Sequence, residues 1–282
     1  VPISAYLRRL GVDQALPPTL ESLRLLHRRH LATLPYENLG IMLAQTPSVD
    51  PESSLERVGE VGRAGYCLHQ NAVLERVLVD LGFTVERRHG HVWTQEGDRD
   101  SPALNHLALV VSGLPTDDNR GGRWWPDVGL GEGFWEPLPL LVGEYADGPF
   151  RFAITDVRPD GWSFRNDPSG AFVGLEVTSR PTDPAAVLAA HAVLSTPPDG
   201  PFTRLLVVQR RDEDGLETVR GCVAGRIDAS GHHTRDLTTY DAWLAALAAI
   251  GLSLEGFEDD DLRALFERSL AGHERWVAAG RP

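Results

Sequence analysis

The sequence predicts a mixed α+β chain with a helical first third, a β-rich middle and a helical end. Three observations predict it. Apolar residues recur at helical spacing in the runs before residue 82. From residue 83 the period drops to two, and short apolar runs alternate with Gly- and Pro-containing turns. From residue 239 the helical period returns. With 282 residues, 42% of them hydrophobic, the chain can bury a sizeable core as one large domain or two to three small ones.

Ile3, Tyr6, Leu7 and Leu10 form an i, i+3, i+4, i+7 stripe that Gly11 stops. Thr19 can cap a helix carrying Leu20, Leu23, Leu26, His27, His30 and Leu31, which ends near Pro35. After Cys67, the residues Val73, Leu74, Val77, Leu78 and Leu81 repeat with helical period, and Gly82 suits the position after the helix. Residues 83–93 alternate, 104–111 form a buried apolar run, and 123–128 follow a turn-rich stretch, so the last two read as a hairpin. Further short strands are expected at 150–157, 161–165, 172–177, 205–209 and 217–223, which suggests a small barrel or sandwich. Thr239 caps 240–250, with Gly251 after it. A last helix near 259–279 opens with three aspartates, which suits its dipole, and the acidic stretch 255–261 reads as a solvated cap.

Composition excludes several functions. A formal charge of −13 argues against a nucleic-acid groove. All 27 basic residues are arginine. Without lysine there is neither a Walker-type phosphate loop nor a Schiff base to pyridoxal phosphate. No apolar run is long enough to span a membrane, and the opening Val1-Pro-Ile-Ser has no signal-peptide pattern. Two cysteines make no disulfide framework. A cytoplasmic protein without nucleic-acid or membrane partners is expected.

The segment GRAGYCLHQN, residues 62–71, carries one of the two cysteines at the expected start of a helix. A helix start favours the thiolate, and a neighbouring imidazole favours it further. His106 lies in an otherwise apolar strand, where a polar ring needs a partner. Asp127 stands on the return strand of the same hairpin, within reach of that ring. A carboxylate on one ring nitrogen fixes the tautomer and leaves the other for the thiol. Each residue alone is more simply a core or turn residue; together they form a nucleophile, a base and an orienting acid.

The surrounding sequence resembles the arylamine N-acetyltransferase family, which includes the related polyketide amide synthases. The stretch Arg63-Ala64-Gly65-Tyr66-Cys67-Leu68-His69-Gln70-Asn71 is similar to its Arg-Gly-Gly-aromatic-Cys-x-x-x-Asn motif. Asn105-His106-Leu107, Asp127-Val128-Gly129-Leu130-Gly131, Pro35-Tyr36-Glu37-Asn38-Leu39 and the segment from Ser195 to Phe202 resemble four more of its motifs. They fall in family order over roughly residues 3–255. The resemblance implies a helical bundle at 1–85 carrying Cys67, a β-barrel at 86–190 carrying His106 and Asp127, and an α/β lid at 191–282. The active site would be of the papain or transglutaminase type. It also implies ping-pong transfer of an acetyl group from acetyl-CoA, as a substrate and not a bound cofactor, through Cys67 to an aromatic amine or hydrazine. Tyr36, Leu130 and Gly131 would line the acceptor site, and Ser195, Thr196 and Arg204 the donor site, with Arg210 and Arg211 as further cations for the donor. The sequence departs from the family pattern at Ala64, Leu130 and Pro197, where the family has Gly, Phe and His.

Other residues carry structural expectations. Arg63 and Glu37 read as a buried ion pair holding the cysteine loop. Cys222 reads as a core strand residue. Trp124, Trp125 and Trp135 line either a pocket or the barrel core. His89 and His91 share a strand face, but no carboxylate or further cysteine stands at metal-ligand spacing, so no metal is expected. Two other functions use the same residues. One is an amide synthase that takes a polyketide from an acyl carrier protein and closes a macrolactam; the other is a catalytically inactive binding scaffold.

Overall fold

The computed structural model describes residues 2–13 and 16–281. Val1, the first residue of the stretch read for a signal peptide, and Pro282, the last of the expected lid, lie outside the described residues. The first third contains α1 (Ser4–Arg9), α2 (Leu20–Thr33), a short strand β1 (Tyr36–Glu37), α3 (Leu39–Met42), α4 (Pro51–Val61) and α5 (Cys67–Asp80). Thr19 caps α2 as expected, its hydroxyl accepting from Ser22 N at 3.3 Å. Helix α4 was not anticipated, although its signals are strong: Asp50 accepts from Ser53 N, Pro51 opens the first turn, and Gly62 ends it in the left-handed region at φ 72°. Tyr6, Leu23, Leu26, Leu55, Val58, Val73, Leu74 and Val77 pack the helices together.

The middle is an antiparallel sheet of eight strands. They are β2 (Thr84–Trp93), β3 (His106–Ser112), β4 (Trp124–Trp125), β5 (Leu138–Pro139), β6 (Gly143–Asp147), β7 (Phe150–Arg158), β8 (Gly161–Arg165) and β9 (Gly174–Thr178), in the order β5-β4-β3-β2-β9-β8-β7-β6. The sheet curls into a nearly closed barrel. Tyr145 on one edge strand donates to Leu141 O at 2.7 Å, just beyond the other edge. Strand β3 is buried on both faces, which explains its unbroken apolar run. Leu109 and Val111 join the helical core, while Ala108 and Val110 join the barrel interior. Trp125, Phe134, Phe152 and Phe164 fill that interior with mainly edge-to-face contacts. Of the three tryptophans considered for a pocket, Trp125 belongs to this interior, and Trp124 and Trp135 pack against the helical core.

The last third contains α6 (Pro184–Ser195), β10 (Val207–Arg211), β11 (Gly215–Arg220), β12 (Val223–Asp228), β13 (Gly231–Asp236), α7 (Tyr240–Ala249) and α8 (Asp259–Ala278). The single strand expected at 217–223 is two strands, joined by a tight turn in which Gly221 has φ 56°. Cys222 is therefore a buried turn residue, not a strand residue. These strands form a second sheet, β1-β10-β11-β12-β13, covered by α7 and α8 through Trp243, Leu247, Leu265 and Phe266. Its first strand is β1, from the helical third: Tyr36 pairs with Gln209 and Glu37 with Val208. That pairing brings the last third of the chain against the start of α5. Among the described residues no helix is long and apolar enough to cross a membrane.

Candidate active site

Cys67 is the first residue of α5, buried, and its thiol donates to Asn105 O at 3.3 Å. The turn before it requires Gly65, at φ 89°, where a Cβ would lie 2.7 Å from His69 Nδ1. Gly65 O accepts from Glu37 N at 3.1 Å and from Gln70 Nε2 at 3.1 Å. Gln70 Oε1 in turn meets His30 Nε2, and Tyr6 Oη bonds His30 Nδ1 at 2.8 Å. This buried chain of polar groups fixes the loop. The expected Arg63–Glu37 ion pair does not do so. Arg63 Nη1 donates to Ser253 O and Glu255 O, at 3.2 and 2.5 Å, and its guanidinium sits 4.3 Å from the centre of the Phe257 ring. Glu37 instead accepts from Leu39 N at 2.6 Å. The two side chains feel one another only at longer range.

His106 and Asp127 are both fully buried, and His106 Nε2 lies 2.7 Å from Asp127 Oδ2. The carboxylate accepts three further hydrogen bonds: Trp125 Nε1 at 3.1 Å, Asn71 Nδ2 at 2.8 Å and Gly129 N at 3.0 Å. Asn71 stands one turn after Cys67 and faces the same way. It also donates to Leu107 O at 2.6 Å and accepts from Val128 N at 3.0 Å, so it joins α5, β3 and the segment after β4. His27, on α2, accepts from Asp127 N at 3.1 Å and uses Nδ1 on Trp135 O at 3.0 Å. Burial lowers His27 to about 4, which keeps it neutral in this arrangement. Asn71, His27 and Trp125 are positioning residues to which sequence reasoning gave no role here. The i+4 spacing from Cys67 was the available signal for Asn71.

Burial, with the Asp127 charge second, pushes the Cys67 thiol up. The amide N–H groups of Cys67 and Leu68 pull in the opposite direction and are outweighed. This corrects the expectation that the helix start and a neighbouring imidazole hold the thiol low. With Nε2 engaged by Asp127, Nδ1 of His106 is the ring nitrogen that remains.

Cys67 and His106 open on one cavity of about 380 Å³. Tyr36 and Leu130, which the family resemblance assigned to an acceptor site, line this cavity. Gly131 stands behind it: a Cβ there would lie 2.2 Å from Gln209 Oε1 and 3.3 Å from the Tyr36 ring. The outer wall is built from Leu194, Pro201, Phe202 and Leu205. Asn38 stitches that wall in place, donating to Phe202 O and Leu205 O and accepting from Val207 N, each at 2.8 Å. Arg204 lines a second cavity of about 820 Å³ that shares Leu205 and Arg220 with the first. Ser195 and Thr196 line neither: Ser195 Oγ bonds back to His191 O at 2.7 Å, and Thr196 is exposed. Arg210 and Arg211 do not reach the site, because Arg210 pairs with Glu217 and the buried Arg211 pairs with Asp147. His89 and His91 line a separate polar cavity on the barrel, and both nitrogens of His91 are taken by the carbonyls of Ala103 and Asp98.

Comparison with known proteins identifies the family. A family model described as N-acetyltransferase matches residues 19–256. The arylamine N-acetyltransferase of Escherichia coli (strain K12) is 33% identical over 129 residues, covering 46% of this chain and 43% of that protein. That of Mycolicibacterium smegmatis is 35% identical over 144 residues, covering 50% and 51%. Those matches span about half the length of these curated relatives. A solved M. smegmatis arylamine N-acetyltransferase superposes with a TM-score of 0.83 at 26% identity, over 96% of this chain and 99% of that one. The match extends through all three parts of the fold and both sides of the cavity, and the chain belongs to the N-acetyltransferase family.

Proposed function

We propose that the chain transfers an acetyl group from acetyl-CoA through a Cys67 thioester to an aromatic amine or hydrazine. One observation carries the reading: Cys67 and His106 face a common cavity while Asp127 holds the far nitrogen of the same ring. The names of the relatives supply the reaction class. The thiol is too strongly desolvated to ionise alone, so its proton passes to His106 Nδ1 as sulfur attacks the thioester carbonyl. The tetrahedral adduct breaks its bond to the CoA sulfur, which leaves with the imidazolium proton. The amine nitrogen then attacks acetyl-Cys67. His106 takes a proton from that nitrogen and returns it to the departing Cys67 sulfur. Asp127 keeps the ring in the required tautomer and stabilises its charged form. Arg204 and Arg220, on the cavity that adjoins the first, supply cations for a phosphorylated donor.

Intact-protein mass spectrometry tests the reading. Acetyl-CoA alone is expected to add one acetyl group, mapped to Cys67, absent from Cys67→Ser and discharged by an arylamine or hydrazine. No loading by acetyl-CoA, with loading from a carrier-protein or pantetheine thioester, would replace it with the amide synthase. No loading from any thioester would leave the inactive scaffold.

A further inference from the structure

We propose that Glu132 sets the acceptor preference: its carboxylate selects aromatic amines that carry a second, cationic or hydrogen-bond-donating group, and disfavours those that carry a carboxylate. The proposal rests on the acetyltransferase reading and adds the chemical class of acceptor to it.

Glu132 follows Gly131 and lines the same cavity as Cys67 and His106 while being only 6% exposed. One carboxylate oxygen is seated in the barrel wall. Its Oε1 accepts from Ala171 N at 2.5 Å and from Asn166 Nδ2 at 3.0 Å. The seat depends on bare backbone at Gly170, where a Cβ would stand 2.6 Å from that oxygen and 2.3 Å from Asn166 Nδ2. The other oxygen has one side-chain contact among the described residues, a long one from Gln209 Nε2 at 3.4 Å, and the Phe172 N–H also acts on the carboxylate. No arginine among the described residues lies within ion-pair distance of the carboxylate. Arg220 shares the cavity but is exposed and acts on Glu132 only at longer range.

A buried carboxylate without a cation is costly, because it gives up hydration and receives little in return. Such a group on a cavity wall is completed by a donor that arrives with the ligand. The remaining wall suits an aromatic ring, because Val92, Leu130, Phe172 and Phe202 line the cavity that Glu132 and Cys67 share. An acceptor then places its reacting amine at Cys67, its ring among these apolar side chains and its second donor on Glu132 Oε2. A carboxylate on the same ring would face Glu132 and be repelled. Burial raises the Glu132 carboxyl, and a cationic ligand group would bring it back down.

The test uses the full chain with Cys67 already acetylated and follows discharge in single turnovers at about pH 7.5. Aniline is compared with meta- and para-(aminomethyl)aniline and with meta- and para-aminobenzoate. One charge-assisted hydrogen bond corresponds to about 10- to 100-fold. The better aminomethyl isomer is therefore expected to exceed aniline by about that factor, and both aminobenzoates to fall below aniline. In Glu132→Gln the ratio of aminomethylaniline to aniline should collapse to within about threefold. An unchanged ratio in that variant, or aminobenzoate as the fastest wild-type acceptor, overturns the proposal. If the variant does not fold, the wild-type ranking alone decides. If acetyl-CoA fails to load Cys67, the acetyltransferase reading falls separately. Calorimetric binding of the same amines to the unmodified protein then decides the selectivity: tighter binding of aminomethylaniline than of aminobenzoate supports it, and the reverse or no difference overturns it.

Discussion

Replacing Asp127 by asparagine should silence the site through a single tautomer, and the structure indicates which way the new amide turns. Four donors converge on the carboxylate: His106 Nε2 and Trp125 Nε1 on Oδ2, Asn71 Nδ2 and Gly129 N on Oδ1. An amide has one oxygen and one NH₂. With NH₂ in the Oδ1 position, two fixed donors face it, since Gly129 N is backbone and Asn71 is held by Leu107 O and Val128 N. With NH₂ in the Oδ2 position, only Trp125 loses its acceptor, because His106 can change tautomer and accept. The second arrangement is favoured, since one orphaned buried donor costs about 1–3 kcal/mol and two cost correspondingly more. It places the ring proton on Nδ1, the nitrogen that receives the Cys67 proton in the proposed mechanism. Asp127→Asn should therefore fold with a loss of about 1–3 kcal/mol. Its acylation should slow by about 10⁴, the loss caused by the same swap in a serine protease triad. Urea denaturation measures the first quantity, single-turnover acylation from acetyl-CoA the second, and ¹⁵N chemical shifts of the His106 ring report the tautomer. A folded variant that acylates within about tenfold of wild type, or that retains the Nε2–H tautomer, refutes the reasoning.

Two further expectations concern stability. Arg63→Ala should cost about 1 kcal/mol, the value of partly exposed hydrogen bonds and a cation–π contact. A loss of about 3–5 kcal/mol in denaturant melts would instead restore the buried ion pair. His27 and His30 are both lowered by burial to about 4, against about 6.5 in an unfolded chain. The unfolded state thus binds more protons between those values. The stability the rings contribute is complete above about pH 6.5 and is lost as pH falls towards 4, on the order of 3 kcal/mol for each ring. Urea midpoints measured from about pH 7 down to about pH 4.5 should fall more steeply in wild type than in His27→Gln; parallel curves would remove His27 from the account.

What was legible in the sequence was whatever local chemistry decides. Thr19 and Thr239 cap the helices they were expected to cap, and the alternating stretch 83–93 and the apolar run 104–111 fall close to β2 and β3. The misses have different causes. Helix α4 was overlooked despite Asp50, Pro51 and Gly62, because its partly exposed apolar stripe is short, with Leu55 and Val58 as its buried apolar side chains. Helix α6 has Asp183 and Pro184 at its start, but its composition is apolar nearly all round and shows no period to read. Strand β12 is half-buried and β13 is the exposed edge strand of a sheet whose core lies on the other strands, so they carry almost no hydrophobic signal. Their existence follows from pairing with β11, which is a tertiary fact.

The site divides along the same line. Cys67, His106 and Asp127 were reachable because each breaks a local rule: a thiol at a helix start, a ring in an apolar strand, and a carboxylate among buried residues. The groups that hold them break no such rule. Asn71 reads as an ordinary helix residue until β3 and the segment after β4 are brought to it, and His27 reads as one more position on an amphipathic stripe. The Arg63–Glu37 assignment failed for the complementary reason. Opposite charges in matched motifs suggest a pair, yet a carboxylate two residues before a backbone N–H has a partner that needs no second element. Arg63 was then free to bind the carbonyls of the 253–255 segment, a contact 190 residues away in sequence. Local hydrogen bonds form at little cost in chain entropy, so they take precedence over distant ion pairs of similar strength. Glu132 is the opposite case, because its hydrogen-bond partners come from distant segments and its Oε2 is left with the weakest of them. Its neighbours in sequence are glycines, Ala171 N and Asn166 Nδ2 take the other oxygen, and Arg220, on the same cavity, acts on the carboxylate only at longer range.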